Sequence, residues 1–333
     1  MLEGKTCVVA GASGFLGGRL ATLLAENGVA VRALVRASSV VDLPPAIPIF
    51  RCAFSDSSGL AQAFAGADIL FNCAGHSSDW GSWKDFREGN IDSVDQLWRA
   101  AARAGIGRIL HVSTTDVYGY PRVVCDETHP LIDVGLPYNR SKLAGDCLAR
   151  RLGKELGLEV GVIRPATIFG PRSHDWVVEL SRQLKSERVP LLKNGQTNAG
   201  LVFVDDAAHA MIALAALPRL DGDVYNLVDP TPITWQSYFT QLCEVIGSRP
   251  PRLNVPVSIA FPTAYVSEAV WRLLAMRSRP LFTRQVVYVM SRDQHYHVTR
   301  LRERITDFPT VGLARGIDLT REWLAREYAS GAI

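Results

Sequence analysis

Tyr138 and Lys142 stand four residues apart in the stretch PYNRSK. If that stretch is helical, as the apolar face of Ala144, Leu148 and Leu152 suggests, the phenol and the ammonium lie one turn apart on the same side. An ammonium beside a phenol favours the phenolate, so Tyr138 is expected to exchange a proton nearer neutrality than an ordinary tyrosine does. In HVSTTDVYG, Ser113 and Thr114 follow an apolar run and are expected at the carboxyl end of a parallel strand. Hydroxyls there can hold a carbonyl oxygen against the tyrosine. A Y-x-x-x-K spacing alone is common, so the surrounding elements have to decide its meaning.

The second chemical feature is a run of glycines. TCVVAGASGFLGGRL places Gly11, Gly14 and Gly17 in a G-x-x-G-x-x-G pattern directly after an apolar run. A strand turning into a helix there gathers backbone N–H groups and the positive helix end at one point, a cradle for a pyrophosphate. About twenty residues on, where a carboxylate would bind a ribose 2'-hydroxyl, the chain reads VRALVRASS and offers Arg32 and Arg36, with Ser38 and Ser39 beside them. Cations there accommodate a 2'-phosphate, which points to NADP(H), with NAD(H) as the alternative. VIRPATIFGP ends a later strand at Pro165, whose neighbouring backbone can close over a nicotinamide.

The elements that must position these residues are legible as a pattern. Strand-like runs cover Thr6–Ala10, Ala30–Val35, Ile69–Cys73, Ile109–Val112 and Val160–Ile163. Between them Leu16, Leu20, Leu23 and Leu24 mark one helical face, stopped at Asn27 and Gly28. Trp83, Phe86, Asn90, Val94, Leu97 and Ala101 mark another. Strands apolar throughout, alternating with helices, predict an α/β fold: a Rossmann-type, doubly wound parallel sheet with helices on both faces. Residues 1–165 with parts of 200–230 are expected to form the nucleotide-binding domain, and 166–333 mainly a smaller α/β substrate lobe. DDAAHAMIALAAL reads as a helix capped by Asp205 or Asp206.

Composition narrows the classes. With 47% hydrophobic and 21% charged residues the chain is globular rather than disordered. The balance of 36 basic against 33 acidic residues, with no basic run, offers no case for a nucleic-acid partner. Six scattered cysteines without a C-x-x-C pair, and no signal-like N-terminus, read as a cytoplasmic protein. The apolar segment Val255–Met276 is interrupted by Pro262 and Glu268, so it is expected to be a helix of the substrate lobe with peripheral membrane contact at most. His295 and His297 lack a third ligand, so no metal is expected. Trp80, Trp83 and Phe86 read as loop anchors, and Asn90 as a tie between the active-site helix and a neighbouring strand.

Taken in order, AGASGFLGG, STTDVYG, YNRSK and RPATIFGP make the chain resemble an extended short-chain dehydrogenase/reductase, and FVDDAAHA and VYNLVDPTPITW continue the likeness. The resemblance implies that Tyr138 is the general acid/base, that Lys142 lowers its pKa and bonds the nicotinamide ribose, and that Thr114 orients the reacting oxygen, with Ser113 the fallback. It implies cofactor contacts from Gly11, Ser13, Gly14, Phe15, Leu16, Gly17, Arg36, Ala74, Gly75, Ser113, Tyr138, Lys142, Pro165 and Ile168. It also implies hydride transfer at a carbinol or carbonyl carbon of a small-molecule substrate, and a homodimer. The chain departs from the family at CAFSD, with Ala53 where an adenine-contacting Asp is usual, and at NCAG, Asn72 to Gly75.

Ala199 replaces the arginine that grips a sugar-nucleotide diphosphate, and Thr115 and Asp116 replace the consecutive Asp and Glu of dehydratases. PPRLNVPVSIAF and RPLFTR resemble instead the branch of 3β-hydroxysteroid dehydrogenases, sterol carboxylate dehydrogenases and dihydroflavonol reductases. That branch implies a lipophilic, steroid-, flavonoid- or polyketide-like substrate, with the helix from Val255 walling its pocket. The alternatives are a nucleotide-sugar epimerase/dehydratase and a non-catalytic NADP-sensing regulator.

Overall fold

The fold was read from a computed structural model, which describes residues 2–331 apart from 221, 277, 281, 307 and 309. Leu281 of RPLFTR thus lies outside the described residues. Nine strands are formed among the described residues: β1 (Thr6–Ala10), β2 (Ala30–Val35), β3 (Ile49–Arg51), β4 (Ile69–Asn72), β5 (Arg108–Val112), β6 (Glu159–Pro165), β7 (Thr167–Phe169), β8 (Leu201–Phe203) and β9 (Val224–Leu227). Seven make one parallel sheet in the order β3-β2-β1-β4-β5-β6-β9, and β7 pairs with β8 apart from it. Runs such as ILFN in β4 are buried at every position, as a strand covered on both faces requires.

The helices are α1 (Phe15–Glu26), α2 (Ser57–Phe64), α3 (Trp83–Arg87), α4 (Ser93–Ala104), α5 (Pro137–Leu156), α6 (Leu180–Lys185), α7 (Val204–Ala215), α8 (Trp235–Ile246), α9 (Val257–Leu273), α10 (Arg284–Ser291), α11 (Thr299–Arg304) and α12 (Leu313–Ser330). One face of the sheet is covered by α2, α4 and α5 through Leu60, Leu97, Trp98 and Leu152. Trp98 also locks α4 to α5 by donating its indole N–H to the Ala149 carbonyl at 3.0 Å. The other face carries α1 and α7, whose apolar sides run on into the core under α8 and α12. Chain order reverses between β1 and β4, and at such a switch point the crevice beyond the strand ends receives the ligand.

Three local expectations are corrected. Neither Asp205 nor Asp206 caps α7: Phe203 holds that position, and both acids lie in the first turn. Asp205 forks onto Arg19 of α1 at 2.7 and 2.8 Å, and Asp206 accepts from the Val311 and Gly312 N–H groups that open α12. The helix read through Trp83 to Ala101 is interrupted by a π turn over Glu88–Asp92, which turns Asn90 inward. And α9 turns most of its apolar residues outward, with Phe261 half-buried against Tyr288. It buries only Ala260, Ala264 and Glu268, while Ile259, Tyr265, Val266 and Leu273 face outward. Glu268 decides that orientation, because its carboxylate is held inside by the Arg284 backbone N–H and guanidinium, both at 2.8 Å. No helix among the described residues is long and apolar enough to cross a membrane.

Candidate functional site

The glycine loop sits at the switch point. Gly11 has φ +79°, and a Cβ added there would meet the Ala74 backbone N at 2.7 Å, so only glycine lets β1 and the turn after β4 come this close. A Cβ on Gly17 would run into the Gly11 carbonyl oxygen, which explains the third glycine as a helix-to-strand packing position. α1 begins at Gly14 with no side-chain cap and no acidic residue in its first turn. Its leading N–H groups are therefore left for an outside acceptor, with Ser13 and Gly14 exposed and Phe15 partly so, while Leu16 is buried as packing. These residues fit a dinucleotide pyrophosphate. A cavity of about 520 Å³ lies against Ser13, Gly14 and Phe15 but reaches outward past Arg19, Arg172 and Trp323, touching neither Tyr138 nor Lys142.

At the end of β2 the two expected cations part company. Arg32 is committed to the C-terminal carbonyls of α2, donating to Ala63 and Ala65 at 3.0 and 2.7 Å, so it is unavailable to a phosphate. Arg36 is exposed, and Arg51 shapes the loop beside it by bonding the Ala37 and Ser39 carbonyls at 3.3 and 2.8 Å.

The floor of the crevice is Ala74 and Gly75. Asn72 Oδ1 accepts from the Ala74 N–H at 3.1 Å, and a Cβ on Gly75 would lie 3.8 Å from Lys142 Nζ, so the glycine and the lysine share one space. Asn90 supplies the tie between helix and strand end. Its amide accepts from the His76 N–H at 2.8 Å and donates to the His76 carbonyl and to Ser141 Oγ, at 3.1 and 2.9 Å. Pro165 is buried at the end of β6, and Ile168 follows, partly buried, in β7.

α5 starts with Pro137 at its first position, the place where a missing N–H costs nothing, and so presents Tyr138 and Lys142 on its first turns. Lys142 Nζ donates to the Val112 carbonyl at 2.7 Å, and burial lowers its pKa to about 8 against the opposing charges of Asp146, Cys73 and Asp116. Tyr138 lies beside Thr114, whose hydroxyl eases its pKa downward. The expected lowering of the Tyr138 pKa is not found: burial and the Asp116 charge hold the phenol above its ordinary value, and the neighbouring Thr114 hydroxyl offsets only part of this. The physical reason is that the Lys142 ammonium is turned to a backbone carbonyl and is itself pushed towards neutrality.

Of the two candidate hydroxyls, Thr114 faces Tyr138 and Ser113 does not. The Ser113 hydroxyl is buried and meets no hydrogen-bond partner among the described residues, lying near enough to Asp146 only to ease that acid's pKa downward. That carboxylate is fully buried, and burial would raise its pKa, but a fork from Arg164 at 2.9 and 2.9 Å and a bond from Arg150 at 3.0 Å hold it below the usual range. Arg164 continues to Tyr118 at 2.9 Å, and Tyr118 to Asn226 at 2.7 Å, so α5, β6 and β9 are joined beneath the catalytic turn.

One inward group, Asp116, enters the sequence reading only as a departure from the dehydratase pattern and is given no role there. The Asp116 backbone is stapled on both sides of Tyr138: its N–H bonds Thr114 Oγ1 at 3.2 Å and its carbonyl accepts from Asn139 at 2.7 Å. Its carboxylate Oδ2 takes the Tyr120 hydroxyl at 2.8 Å and Gln285 at 3.4 Å. Burial, eased by the Tyr120 bond and the Lys142 charge, raises its pKa to about 6. The available signal was a carboxylate two residues after Thr114, in a segment ending at a strand mouth.

Comparison with known proteins identifies the family and the fold. Residues 7–227 match the NAD dependent epimerase/dehydratase family. The chain is 29% identical, over 94% of its length and 95% of the relative's, to a 4-hydroxy-2-methyl-3-oxo-4-farnesyl-3,4-dihydroquinoline-1-oxide ketoreductase of Stigmatella aurantiaca. It is 26% identical to a 2-alkyl-3-oxoalkanoate reductase of Stenotrophomonas maltophilia, over 93% of this chain and 96% of that one. A UDP-glucuronic acid 4-epimerase from Bacillus cereus, solved in complex with NAD, shares the fold with a TM-score of 0.75 at 19% identity, over 97% and 99% of the two chains. With two thirds of the chain matching the family's model, the chain belongs to the NAD dependent epimerase/dehydratase family, as an extended short-chain dehydrogenase/reductase enzyme.

Proposed function

We propose that the chain is an NADP(H)-dependent ketoreductase, interconverting a ketone and a secondary alcohol on a small lipophilic substrate. The observation that carries this reading is the Tyr138 phenol set beside Thr114 at the mouth of β5, with Lys142 and Gly75 sharing the adjoining space. Thr114 holds the substrate oxygen and Tyr138 gives it a proton. A phenol held above its ordinary pKa stays protonated through the neutral range, which suits a donor to a developing alkoxide and so the reducing direction. Lys142 holds the nicotinamide ribose, and Gly11, Gly14 and the first turn of α1 hold the pyrophosphate. When bound, the cofactor supplies the hydride that reaches the carbonyl carbon. On this reading residues 1–165 with α7 and β9 hold the cofactor, and most of 166–333 the substrate.

The ketone is supported by two relatives named for reducing 3-oxo compounds. Lipophilicity is supported by the aromatic wall beside Asp116, where Tyr120 stacks on Tyr288 at 4.9 Å and Phe261 meets Tyr288 edge-on at 5.1 Å. NADP(H) rather than NAD(H) is supported by the exposed Arg36, and Arg36→Ala is expected to reduce the preference for NADP(H) by about 10-fold or more. The sugar-nucleotide alternative rests on structural neighbours, but Ala199 is fully buried with its N–H given to Ile233, and puts no cation where a diphosphate would need one. The decisive experiment is NADPH oxidation over a panel of apolar ketones, with UDP-glucose in parallel. Tyr138→Phe should cut ketone turnover by about 10³-fold while leaving NADPH binding intact. Normal turnover in that variant, or tighter saturation by UDP-glucose than by any ketone, rejects the reading.

A further inference from the structure

Asp116 is an acid without a cation on its own carboxylate. Both of its side-chain partners, Tyr120 and Gln285, are neutral donors, and both reach Oδ2. Among the described residues no hydrogen bond ends on Oδ1. The groups that feel its charge are Tyr120, Tyr138, Tyr296 and Lys142, the last already held by the Val112 carbonyl. Its position is fixed from three directions. Thr114 and Asn139 hold its backbone, Gln285 comes from α10 in the other half of the molecule, and Tyr120 reaches it from a left-handed backbone at φ 58°. A non-glycine residue in that region is strained, so the surroundings over-determine this hydroxyl's approach. The carboxylate lies close enough to Tyr138 for its charge to raise the phenol's pKa, and its backbone N–H is tied to Thr114 beside that phenol at 3.2 Å.

A fixed acceptor so close to the proton donor bears on whatever substituent flanks the reacting carbon. A hydroxyl or N–H there finds a ready acceptor, whereas an anion meets like charge. Resting on the reductase reading above, we propose that Asp116 is a specificity-determining residue: it selects ketones bearing a neutral hydrogen-bond donor next to the carbonyl and rejects those bearing a carboxylate there. The buried polar partner makes the discrimination large, since a site built to accept a hydrogen bond penalises ligands that cannot give one.

The test is a matched pair: a medium-chain 2-oxo acid and its primary amide, alike in shape and different in charge. Each is titrated calorimetrically into the protein in the presence of NADP+, where no turnover occurs. At about pH 8 the wild type should bind the amide at least about 10-fold more tightly than the acid. In Asp116→Asn that ratio should fall to within about 2-fold. In the wild type, without any variant, lowering the pH through the Asp116 titration at about 6 should bring acid binding up towards the amide, since the 2-oxo acid itself stays anionic. Equal affinities in the wild type, an unchanged ratio in the variant, or failure to bind the amide overturns the inference. Loss of NADPH consumption on both compounds with the binding pattern intact rejects the reductase reading and leaves the selectivity standing.

Discussion

Two inward-facing carboxylates lie on either side of Lys142 and are held in opposite directions. Asp146, one turn further along α5, is fully buried yet kept charged by two arginines, and through Arg164 and Tyr118 it braces β6 and β9. Asp116, on the loop after β5, is held by a tyrosine and a glutamine and sits at about 6. The difference is one of partner: Asp146 has no exposed surface and Asp116 is half-buried, yet it is the less buried acid whose pKa is raised. A guanidinium fork returns the solvation a carboxylate loses on burial, whereas neutral donors return only part of it. The first carboxylate builds the platform, and the second is left with chemistry to spare.

The strongest way to break that comparison is to remove the platform charge. Asp146→Asn leaves Arg164 buried without its counter-ion and should destabilise the fold by about 3–5 kcal/mol in urea unfolding. Replacing both partners by apolar residues of similar volume should cost far less, because no uncompensated charge remains. If the single and double variants unfold alike, Asp146 and Arg164 do not act as a pair.

The next effect separates the two acids by pH. Asp146 has a depressed folded pKa, so its contribution is present above the unfolded value of 3.8 and is lost as pH falls below it. Asp116 has a raised folded pKa, so between 3.8 and about 6 the folded chain holds more protons than the unfolded one, and stability falls as pH rises through that window. Asp116→Asn should therefore be near neutral at about pH 4 and more stable than wild type at pH 7, by on the order of 2 kcal/mol. Lys142, lowered from 10.5 to about 8, adds a rise in stability between those two values, which Lys142→Met should abolish. Melting temperatures across pH 4 to 10 for the three chains check all of this.

What could be read from sequence, and what could not, follows the same division. The glycine loop, the five inner strands and the Tyr138–Lys142 turn were legible because each is local: spacing along one strand or one helix carries the information. Arg32 and Arg36 looked equivalent on β2, and the difference was made by where α2 ends, since its C-terminal carbonyls take Arg32 out of the site. The apolar run from Val255 suggested a pocket wall, but one buried glutamate, answered by Arg284 sixteen residues on, turns the helix the other way. Asp116 acquires its character from Gln285, 169 residues away, and from a left-handed Tyr120 that no propensity favours. Pairing across lobes and strained backbone leave no period in the chain.

The smallest expected effect sharpens the comparison most directly, because it concerns the shorter of the two neutral hydrogen bonds that stand in for an arginine. The Tyr120 hydroxyl pulls the Asp116 pKa down, against burial, so Tyr120→Phe removes a neutral hydrogen bond and keeps the ring stacked on Tyr288. The cost to stability should be about 1 kcal/mol or less. The Asp116 carboxyl, followed by its infrared stretch against Asp116→Asn as blank, should titrate at a higher pH than in the wild type, and the amide-over-acid preference should then persist over a narrower, more alkaline range. A carboxyl that titrates at the wild-type pH after loss of the phenolic hydroxyl means that burial alone sets its state, and that partner chemistry is not what separates it from Asp146.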